Sequence, residues 1–379
     1  MLPRVDVAVI GGGYSGLGVA LRAVEQGKSV VLFERMKCGA ATSAYSHRIV
    51  HGGFRYLQQG NLKRVRESAV AQRELLARFP EALRPLPCLM PLKRFGLKSR
   101  LPVRMALAMF DLCTKGLPNL APGEGRILTA REVKDKCPLL AERAPYGALL
   151  WWDVQIVHPE LLLQSLLDEI RNLGGTIHEN ANVVRVQERG EGYRVSVQTH
   201  EELFTIDALS VVNASGPWVG KRIDGIQVPA YQSVRWCKAF NVTLRRVLES
   251  EYAIAFQGAK GNLYFMVPRK DGTAIGTVYI PLKDSIEPEE ISLDDDELVM
   301  AFSAMSKGFP ELGLSFMDIK GYELGVLPVE ALYPDGRMKL YGSEKIHVHS
   351  NYVEILSTKL TTCLIQGEKV LKQLHLPEV

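Results

Sequence analysis

Short apolar runs and one helical stretch follow each other at the start of the chain. Val5–Ile10 is almost continuously apolar, which is typical of a strand in a parallel sheet that is covered on both faces. An alanine- and leucine-rich stretch at residues 17–25, which stops at Gly27, predicts a helix. Residues 29–33 predict a second strand, which ends in Glu34. This order of strand, helix and strand predicts a parallel α/β unit.

The pattern changes further along the chain. Residues 234–244, 262–268 and 273–280 alternate apolar and polar side chains over short runs, which predicts an antiparallel sheet. Helical patterns occur at residues 61–79, 103–115 and 158–172. The fold class that we predict is α/β, with a second, α+β domain built on the antiparallel sheet.

A glycine-rich turn joins the first strand to the first helix. Gly11, Gly13 and Gly16 form the pattern GxGxxG, with Tyr14 and Ser15 before the third glycine. In this pattern the first glycine permits the tight turn, the second lets a pyrophosphate approach the backbone, and the third lets helix and strand pack closely. Because a helix N-terminus with unpaired N–H groups attracts phosphate, the turn predicts a Rossmann-like dinucleotide-binding domain.

Glu34 narrows the choice of dinucleotide. A carboxylate at the end of the second strand can accept hydrogen bonds from both hydroxyls of an adenosine ribose, and it would repel a 2′-phosphate. The sequence therefore disfavours NADP. At this point FAD and NAD both remain open.

Composition and charge exclude several other classes of protein. The 379 residues are 46% hydrophobic and 23% charged, as in ordinary globular chains of more than one domain. The net charge of +4 is small and no long run of one sign occurs, so we expect no nucleic-acid partner. We also expect no spanning helix and no signal peptide, hence a cytoplasmic protein, because every long apolar stretch contains charges and the N-terminus enters a strand.

The six cysteines and eight histidines form no ligand pattern. The chain has no CxxC pair and no HExxH motif, and His347 and His349 alone, two residues apart, are weak evidence for a metal. We therefore expect reduced structural thiols and no metal site.

Longer motifs separate FAD from NAD. Residues 41–57 read ATSAYSHRIVHGGFRYL, residues 213–218 read NASGPW, and residues 359–362 read KLTT. These strings, in this order, resemble the FAD-dependent glycerol-3-phosphate dehydrogenases, which are members of the D-amino acid oxidase superfamily. The resemblance implies FAD as the cofactor and a Rossmann-like FAD-binding domain of the D-amino acid oxidase type.

The resemblance also implies a set of cofactor-binding residues. Many are glycines or small hydroxyl residues, which suit a backbone that runs beside pyrophosphate and flavin because they add hydrogen bonds without bulk. Val183 is expected to hold the adenine through its backbone. The full set is Gly11, Gly13, Tyr14, Ser15, Gly16, Glu34, Arg35, Ala41, Thr42, Ser43, Ser46, His51, Gly52, Gly53, Val183, Ala214, Ser215, Gly216, Trp218, Gly325, Leu327, Thr358, Lys359, Leu360 and Thr361.

The same resemblance suggests two interleaved domains. We expect residues 1–80, 150–220 and 325–379 to form a discontinuous FAD-binding domain, and residues 81–149 and 221–324 to form the substrate domain. Since the chain ends soon after the KLTT motif, we expect no additional C-terminal helical domain of the kind that many bacterial relatives carry.

On the substrate side the match is partial. Arg55, Tyr56 and Lys359 match a corner that faces substrate in the family, and the planar guanidinium of Arg55 suits a phosphate or a carboxylate. The histidine of the family's KGSH motif is Asn241 here, which cannot take a proton at neutral pH, and the arginine of its GxRPL motif is Leu327. We keep Asn241 with the other three as candidate catalytic residues.

These two changes reduce the positive charge that a phosphorylated polyol would meet. Arg269 with Lys270, or Arg235 with Lys238, are candidate replacement cations. Residues 157–161 (VHPEL) resemble relatives that oxidise amines and hydroxy acids, which favours a carboxylate substrate held by Arg55.

A basic and apolar segment at residues 93–112 has two interpretations. The first is a basic surface helix whose apolar face packs inward, which we prefer. The second is a peripheral contact with an anionic membrane surface, at the inner face of the membrane, where relatives pass electrons to quinone.

The function predicted from the sequence is that of an FAD-dependent dehydrogenase or oxidase. It would take hydride from a CH–OH group of a small anionic substrate, a polyol phosphate or a hydroxy acid, and pass electrons to quinone, another acceptor or oxygen. The alternatives are an amine or amino-acid oxidase on the same scaffold and a flavin-binding protein that has lost the ancestral reaction.

Overall fold

The structure is a computed structural model. It describes residues 4–118, 121–221, 223–226, 230–248, 250–258, 261–282, 290–334 and 338–377, with residues 58 and 59 described by their backbone alone.

Helices and strands alternate in the first part of the chain, and strands dominate the remainder. The α-helices are α1 (Tyr14–Glu25), α2 (Leu62–Arg78), α3 (Arg100–Thr114), α4 (Ala130–Lys136), α5 (Pro159–Asn172), α6 (Asp295–Gly308) and α7 (Cys363–Leu371). The strands are β1 (Val5–Ile10), β2 (Val30–Glu34), β3 (Ile49–Val50), β4 (Leu83–Pro91), β5 (Arg126–Leu128), β6 (Ala148–Ile156), β7 (Thr176–Glu179), β8 (Asn182–Arg189), β9 (Gly192–Gln198), β10 (Leu203–Asn213), β11 (Arg235–Leu244), β12 (Ala253–Gln257), β13 (Leu263–Arg269), β14 (Gly272–Pro281), β15 (Ile319–Leu332), β16 (Met338–Leu340), β17 (Lys345–His349) and β18 (Tyr352–Leu356).

The first sheet is mostly parallel and has the strand order β17-β18-β10-β1-β2-β7. Strands β18, β10, β1, β2 and β7 run parallel to one another, whereas β17 pairs antiparallel with β18 and the β8–β9 hairpin joins β10 in an antiparallel pair. The strand-helix-strand unit predicted from residues 5–34 is therefore present at the centre of this sheet.

The continuous apolar run of β1 has a direct structural cause. Val7 and Val9 point into a core shared with the helices α1, α5 and α7, whereas Ala8 and Ile10 point into a second core beneath the β8–β9 hairpin. Both faces of the strand are covered, so neither set of alternate positions tolerates polar side chains.

The second sheet has the order β16-β15-β11-β14-β13-β12-β4-β6-β3, with β5 paired to β6. All of its pairs are antiparallel except the pair β12–β4. Strands β11, β13 and β14 lie where the alternating pattern predicted them, which confirms the antiparallel sheet. Helix α6 packs against it, with Phe302 and Met305 in the core.

The two sheets do not follow the predicted segment boundaries at four places. β3 (Ile49–Val50) belongs to the second sheet, although it lies within residues 1–80. β6 starts at Ala148 and most of it lies within residues 150–220, yet it pairs with β4. β15 runs from Ile319 across the predicted boundary at residue 325, and β16 (Met338–Leu340), which lies within residues 325–379, pairs with β15. Pairing partners, which the sequence does not display, decide these memberships, and the division into two domains stays a prediction.

Helices α1 and α7 touch through their backbones. A Cβ atom on Gly18 would lie 2.4 Å from the carbonyl oxygen of Cys363, and one on Gly367 would lie 2.3 Å from the carbonyl oxygen of Gly18. Because no side chain intervenes, the last helix lies directly against the first one, and the KLTT motif before α7 is brought to the start of the chain.

Within the described ranges, no helix has the length and apolar character needed to cross a bilayer. The same ranges contain no group of three or more His, Cys, Asp or Glu side chains that could hold a metal ion. All six cysteines are free thiols.

Replacing Gly18 with alanine tests the α1–α7 contact. Alanine favours a helix by about 1 kcal/mol over glycine, but here its methyl group would strike a backbone carbonyl. We therefore expect a net loss of about 1–3 kcal/mol in the free energy of unfolding, measured by urea denaturation. Gly342→Ala is the control, since nothing lies within 4 Å of its Cβ position. A Gly18→Ala variant as stable as the wild type would contradict the expected packing.

Candidate functional site

Four distant parts of the chain meet at one edge of the first sheet. β1, β2, β10 and β18 are parallel neighbours, with Ile10 paired to Phe33 and to Asn213, and Asn213 paired to Glu354. Their carboxyl ends therefore lie side by side. In open α/β sheets this edge is where ligands bind, and the residues predicted to bind the cofactor follow these strand ends.

The glycine turn after β1 fits its predicted role. Gly11 has a φ of 103°, and a Cβ on it would lie 2.6 Å from the carbonyl oxygen of Ala214. A Cβ on Gly16 would lie 1.9 Å from the carbonyl oxygen of Gly11. Only glycine can occupy these two positions without displacing backbone, so the turn and the start of α1 pack as the motif requires.

The N-terminus of α1 faces this edge with little to satisfy its N–H groups. Gly13 is the N-cap residue and makes no side-chain capping bond, and the first turn has no acidic residue. The amide of Tyr14 donates a long hydrogen bond of 3.3 Å to Ser43 Oγ. Such an end, with Ser15 in its first turn, favours an anionic group.

Glu34 lies at the end of β2, as predicted. Its Oε2 accepts a hydrogen bond of 2.7 Å from the amide of Gly12, and its Oε1 accepts one of 2.9 Å from the amide of Met36. The carboxylate is therefore held at the turn. Each of its oxygens has a second lone pair, which leaves capacity to accept from a ribose hydroxyl.

The NASGPW segment folds into a compact turn beside Glu34. The buried Asn213 side chain accepts hydrogen bonds from the amide (3.2 Å) and the hydroxyl (2.6 Å) of Ser215. Gly216 has a φ of 62° and begins a 3₁₀ turn. Trp218 then lies under the guanidinium of Arg35, with the Arg35 carbon 4.2 Å from the ring centroid. Residues near 35 and near 218 thus lie together, as the resemblance implied.

Val183 is 8% exposed, and its side chain lies in the core beneath the hairpin. The pairing of β8 with β9 is irregular between Val183 and Arg185. A contact of this residue with a ligand would have to use the backbone, which is the role that the resemblance implied.

The loop with Ala41, Thr42 and Ser43 is docked on the second sheet. Thr42 Oγ1 accepts a hydrogen bond of 3.1 Å from the amide of Val326, and a Cβ on Gly325 would lie 2.9 Å from Thr42 Cγ2. The loop therefore bridges the start of α1 and strand β15. The hydroxyl of Ser46 makes a local contact, because its Oγ accepts a hydrogen bond of 3.3 Å from the amide of Arg48.

A buried carboxylate that the sequence reasoning missed organises the HGG motif. Asp153, 2% exposed, accepts hydrogen bonds from the amide of Gly52 (2.8 Å) and Trp151 Nε1 (3.3 Å), and its Oδ2 lies 2.9 Å from His51 Nδ1. A signal was present, because Asp153 is the one acidic residue within the apolar run of β6, ALLWWDVQI. A buried acid requires partners, but the sequence does not name them.

Glycines make room for this arrangement. A Cβ on Gly52 would lie 2.7 Å from Gln72 Oε1, and one on Gly53, whose φ is 92°, would lie 2.8 Å from Ser68 Cβ. The motif is therefore pressed against α2. The ring of His51 remains 48% exposed, with its Nε2 free of the Asp153 contact.

The C-terminal loop reaches the same place. The amide of His51 donates a hydrogen bond of 3.2 Å to Thr361 Oγ1. Leu360 packs against the core that β1 shares with the helices α1, α5 and α7. Thr358 Oγ1 is buried and has no hydrogen-bond partner in the structure as described. Helix α7 follows with no side-chain cap and no acidic residue in its first turn.

Arg55, Tyr56 and Lys359 meet, as predicted. Lys359 Nζ lies 4.2 Å from the ring centroid of Tyr56, which is 9% exposed. Burial, together with the nearby positive charge of Arg55, lowers the pKa of Lys359 to about 8. Neither Arg55 nor Lys359 is paired with an acidic residue in the described ranges. Two cations with no carboxylate between them favour an anionic ligand.

Tyr279, which the sequence reasoning did not single out as a site residue, belongs to this corner. Burial raises its pKa, and the charge of Arg55 opposes that rise. The residue nevertheless keeps 41% of its surface accessible. Thr277, next to it on β14, donates a hydrogen bond of 3.0 Å to Asn241 Oδ1. Asn241 is buried, at 1% exposure, and its side-chain oxygen accepts the hydrogen bond from Thr277.

Leu327 lies on the sheet face that the docked loop covers. β11 and β15 pair Leu327 with Cys237, Gly325 with Ala239 and Glu323 with Asn241, and paired residues share a face. Leu327 is therefore two residues from the contact of Gly325 with the loop. It presents an aliphatic side chain where the family carries a cation.

Two of the four candidate replacement cations, Arg269 and Lys238, were wrong, because their side chains are already paired with carboxylates. Arg269 forms a bidentate pair with Glu323 (2.7 and 2.9 Å), and Arg48 pairs with the same carboxylate at 3.0 Å. Lys238 Nζ pairs with Glu297 at 2.6 Å, on the side of the sheet covered by α6. Their positive charges are already matched by carboxylates.

FAD fits the assembled edge on several observations of this structure. Two helix N-termini, of α1 and α7, lack side-chain caps and first-turn acids. The glycine turn leaves space where side chains would otherwise stand, and Thr358 Oγ1 is a buried donor without a partner. Phosphate and a flavin ring with carbonyl and nitrogen acceptors are ligands that such groups suit.

Comparison with known proteins agrees with this fit. The model of the DAO family, described as FAD dependent oxidoreductase, matches residues 6–353 of the chain. The aerobic glycerol-3-phosphate dehydrogenase of Bacillus subtilis is 25% identical over an alignment of 364 residues that covers 94% of this chain and 64% of that protein. The chain thus spans less than two thirds of the length of this curated relative.

Solved structures are similar in fold. The glycerol-3-phosphate dehydrogenase from Bacillus halodurans, complexed with FAD, has a TM-score of 0.71 and 19% identity over all of this chain and 67% of that one. The L-α-glycerophosphate oxidase from Mycoplasma pneumoniae, with FAD bound, has a TM-score of 0.75 and 14% identity over 99% of this chain and 96% of that one. The predicted fold class and the resemblance to this family are confirmed.

Removal of the Asp153 side chain tests the organising role of this carboxylate. Asp153→Ala would leave the amide of Gly52 and the ring nitrogens of His51 and Trp151 without their acceptor. We expect the free energy of unfolding to fall by about 2–5 kcal/mol and the affinity for FAD to fall with it, measured by urea denaturation and by quenching of flavin fluorescence. Asp168→Ala is the control, since that carboxylate is 52% exposed. Unchanged stability and FAD affinity would refute this role.

Proposed function

The chain belongs to the FAD dependent oxidoreductase family, and from that premise we propose that it is an FAD-dependent dehydrogenase or oxidase acting on a CH–OH group of a small anionic substrate. The family match confirms the prediction of FAD as cofactor. The observation that carries the proposal is the proximity of Arg55 to Lys359, two cations that have no carboxylate partner in the described ranges.

The residues that would hold FAD are those gathered at the edge of the first sheet. The glycine turn and the N-terminus of α1 suit the pyrophosphate, and Glu34 suits the adenosine ribose. The loop at Thr42 and Ser43, the HGG motif and the segment from Thr358 to Thr361 surround the space for the ring. When bound, FAD supplies the acceptor for a hydride from the substrate carbon.

Arg55 and Lys359 would bind the anionic end of the substrate. Arg55 offers a planar guanidinium that matches a carboxylate or a phosphate, and Lys359 adds a second positive charge nearby. Tyr56, under Lys359, keeps that ammonium in place through its ring face. Leu327 adds no cation on the neighbouring strand, which favours a carboxylate of a hydroxy acid over a doubly charged phosphate.

His51 is the group best placed to take the hydroxyl proton of the substrate. Asp153, which contacts Nδ1, favours the tautomer with its proton on Nδ1 and leaves Nε2 as the acceptor. The backbone amide of His51 donates a hydrogen bond to Thr361, two residues from Lys359. Asn241 cannot replace it as a base, and it serves to orient Thr277 and the edge of the substrate cleft.

Anaerobic reduction of the bound flavin tests the proposal directly. Hydroxy acids, polyol phosphates, amino acids and amines would each be mixed with the holoprotein, and the loss of flavin absorbance recorded. We expect bleaching by hydroxy acids or polyol phosphates. Bleaching by amines or amino acids alone would show an amine or amino-acid oxidase instead, and no bleaching by any compound would show a flavin protein without the ancestral reaction.

The pH dependence of turnover tests the role of Lys359. Its ammonium is charged below a pKa of about 8 and neutral above it, so kcat/KM for an anionic substrate should fall about tenfold per pH unit above pH 8. Lys359→Arg keeps its charge at these pH values, and the fall should then move to higher pH.

The matched control for this pH profile is Lys372→Arg, on the exposed surface after α7. This variant should keep the fall near pH 8. If Lys359→Arg shows the same profile as the wild type, the titrating group is not Lys359.

A further inference from the structure

A chain of buried hydrogen bonds leads from strand β18 to the NASGPW turn. It connects Glu354 to Ser215 through two further side chains. Tyr352 donates a long hydrogen bond of 3.4 Å to Glu354 Oε1, and Asn213 Nδ2 donates one of 3.2 Å to the Tyr352 hydroxyl. Asn213 Oδ1 then accepts from the amide and the hydroxyl of Ser215. The side chains of Glu354, Tyr352 and Asn213 are at most 3% exposed, so bulk water does not compete for these bonds.

Glu354 is an acidic residue inside the apolar strand YVEIL. In the part of the chain that the structure describes, it forms no ion pair. Its other oxygen, Oε2, accepts a hydrogen bond of 2.6 Å from the amide of Ala230, so its charge is held by hydrogen-bond donors alone. Glu354 pairs with Asn213 on β10, and Asn213 pairs with Ile10 on β1. The chain of hydrogen bonds therefore crosses the sheet towards the glycine turn.

Both ends of this chain have a fixed hydrogen-bond direction, because a backbone amide can only donate. The atom of Asn213 that faces the amide of Ser215 must therefore be its oxygen, which turns Nδ2 towards Tyr352. The Tyr352 hydroxyl accepts from Nδ2 and has its own proton left to donate to Glu354 Oε1. Since Oε2 already accepts from Ala230, a proton on the carboxyl group would have to lie on Oε1. The observed arrangement therefore requires an ionised Glu354.

Protonation of Glu354 would reverse the bond to Tyr352. The carboxyl group would become the donor, and the proton of the Tyr352 hydroxyl would have no acceptor unless the amide of Asn213 turned over. A turned amide would present Nδ2 to the amide of Ser215, where two donors meet. A buried donor without an acceptor is unfavourable in either case. The bonds that hold Ser215 are therefore weaker when Glu354 is protonated.

Ser215 lies against the turn that suits the pyrophosphate. A Cβ on Gly11 would lie 2.6 Å from the carbonyl oxygen of Ala214 and 3.0 Å from the Cα of Ser215. Ser215 also precedes the 3₁₀ turn that ends at Trp218, which lies under Arg35. A displacement of Ser215 would therefore disturb both the glycine turn and the Trp218 contact.

We propose that Glu354 is a positioning residue for the cofactor site, whose ionised carboxylate orients Asn213 through Tyr352 and whose protonation releases Ser215 and weakens the binding of FAD. This inference rests on the proposed position of FAD beside Gly11. It does not depend on the substrate or on the reaction.

The titratable groups that face Glu354 include one that needs a control. Burial raises the pKa of the Glu354 carboxyl, and His347, its partner on β17, is among the groups that oppose this rise. Burial and the charge of Glu354 raise the pKa of Tyr231 to about 12, and the same two causes raise the pKa of Tyr352. Both tyrosines therefore keep their protons at neutral and acidic pH. His347 is the remaining group whose change of charge has to be tested.

The affinity of the apoprotein for FAD at different pH values tests this proposal without any turnover. The apoprotein would be titrated with FAD from about pH 8.5 to about pH 5, and the dissociation constant taken from the quenching of flavin fluorescence. We expect the affinity to fall about tenfold as Glu354 takes up its proton. Because burial raises its pKa, the fall should begin at a higher pH than for an exposed glutamate. An affinity that does not fall would overturn the proposal.

Two variants separate the hydrogen-bond chain from the charge of Glu354. Glu354→Gln imitates the protonated carboxyl group, since its NH₂ group donates where Oε1 accepts. It should bind FAD about tenfold more weakly than the wild type at the highest pH, with no further fall on acidification. Tyr352→Phe interrupts the chain while Glu354 can still ionise, and it should also abolish the fall. If the fall persists in Tyr352→Phe, Glu354 acts through its charge alone and the proposed chain is refuted.

The controls are Glu201→Gln, at an exposed position, and His347→Gln. Both should keep the affinity of the wild type at high pH and its fall on acidification. Loss of the fall in His347→Gln would assign the titration to that histidine and contradict the proposal. Urea denaturation of each apoprotein would show that the variants are folded. A folded Glu354→Gln variant that binds FAD as the wild type does at every pH would also overturn the proposal, whereas the use of FAD by the protein would stand.

Discussion

The contact between the backbones of α1 and α7 is the constraint on which the candidate site depends. Gly18 and Gly367 bring the first and last helices so close that a methyl group would collide with a carbonyl oxygen. As a result the two helix N-termini, one after the glycine turn and one after the KLTT motif, serve the same edge of the first sheet. Without this approach, Lys359 and Thr361 would have no fixed position relative to Gly13 or His51, more than 300 residues earlier in the chain.

A second set of contacts connects this edge to the antiparallel sheet. Asp153 lies on β6 and holds the HGG motif by hydrogen bonds to His51 and Gly52, while Thr42 holds strand β15. The loop and the motif are therefore fixed by both sheets at once. This matters for chemistry, because hydride transfer requires that cofactor and substrate groups keep a fixed distance. The loop at Thr42 and the HGG motif therefore belong both to the edge proposed to bind the cofactor and to the surroundings of the proposed substrate site.

The cations near the two sheets fall into two groups. Arg48 and Arg269 share Glu323, and Lys238 pairs with Glu297, so the charges of these three cations are matched by carboxylates. Arg55 and Lys359 have no such partner in the described ranges, and burial lowers the pKa of Lys359. Arg55 is exposed, whereas Lys359 is partly buried, so the cost of an unpaired charge falls on Lys359 until a ligand supplies a partner.

The sequence by itself determined the parts of the fold that depend on local pattern. The apolar run of β1, the glycines at 11, 13 and 16 and the alternation of β11 and β14 specify strand, turn and sheet through backbone geometry and burial. The motifs at residues 41–57, 213–218 and 359–362 determined the family and the cofactor. Only the tertiary structure decided that β6 and β15 join the second sheet, that Asp153 holds His51, that Tyr279 lies near Arg55 and that Arg269 is already paired. These depend on which distant residues come into contact. The exposure of Leu101, Met105 and Leu112 on α3 has the same origin, because an apolar helix face has the same sequence pattern whether the protein covers it or leaves it open.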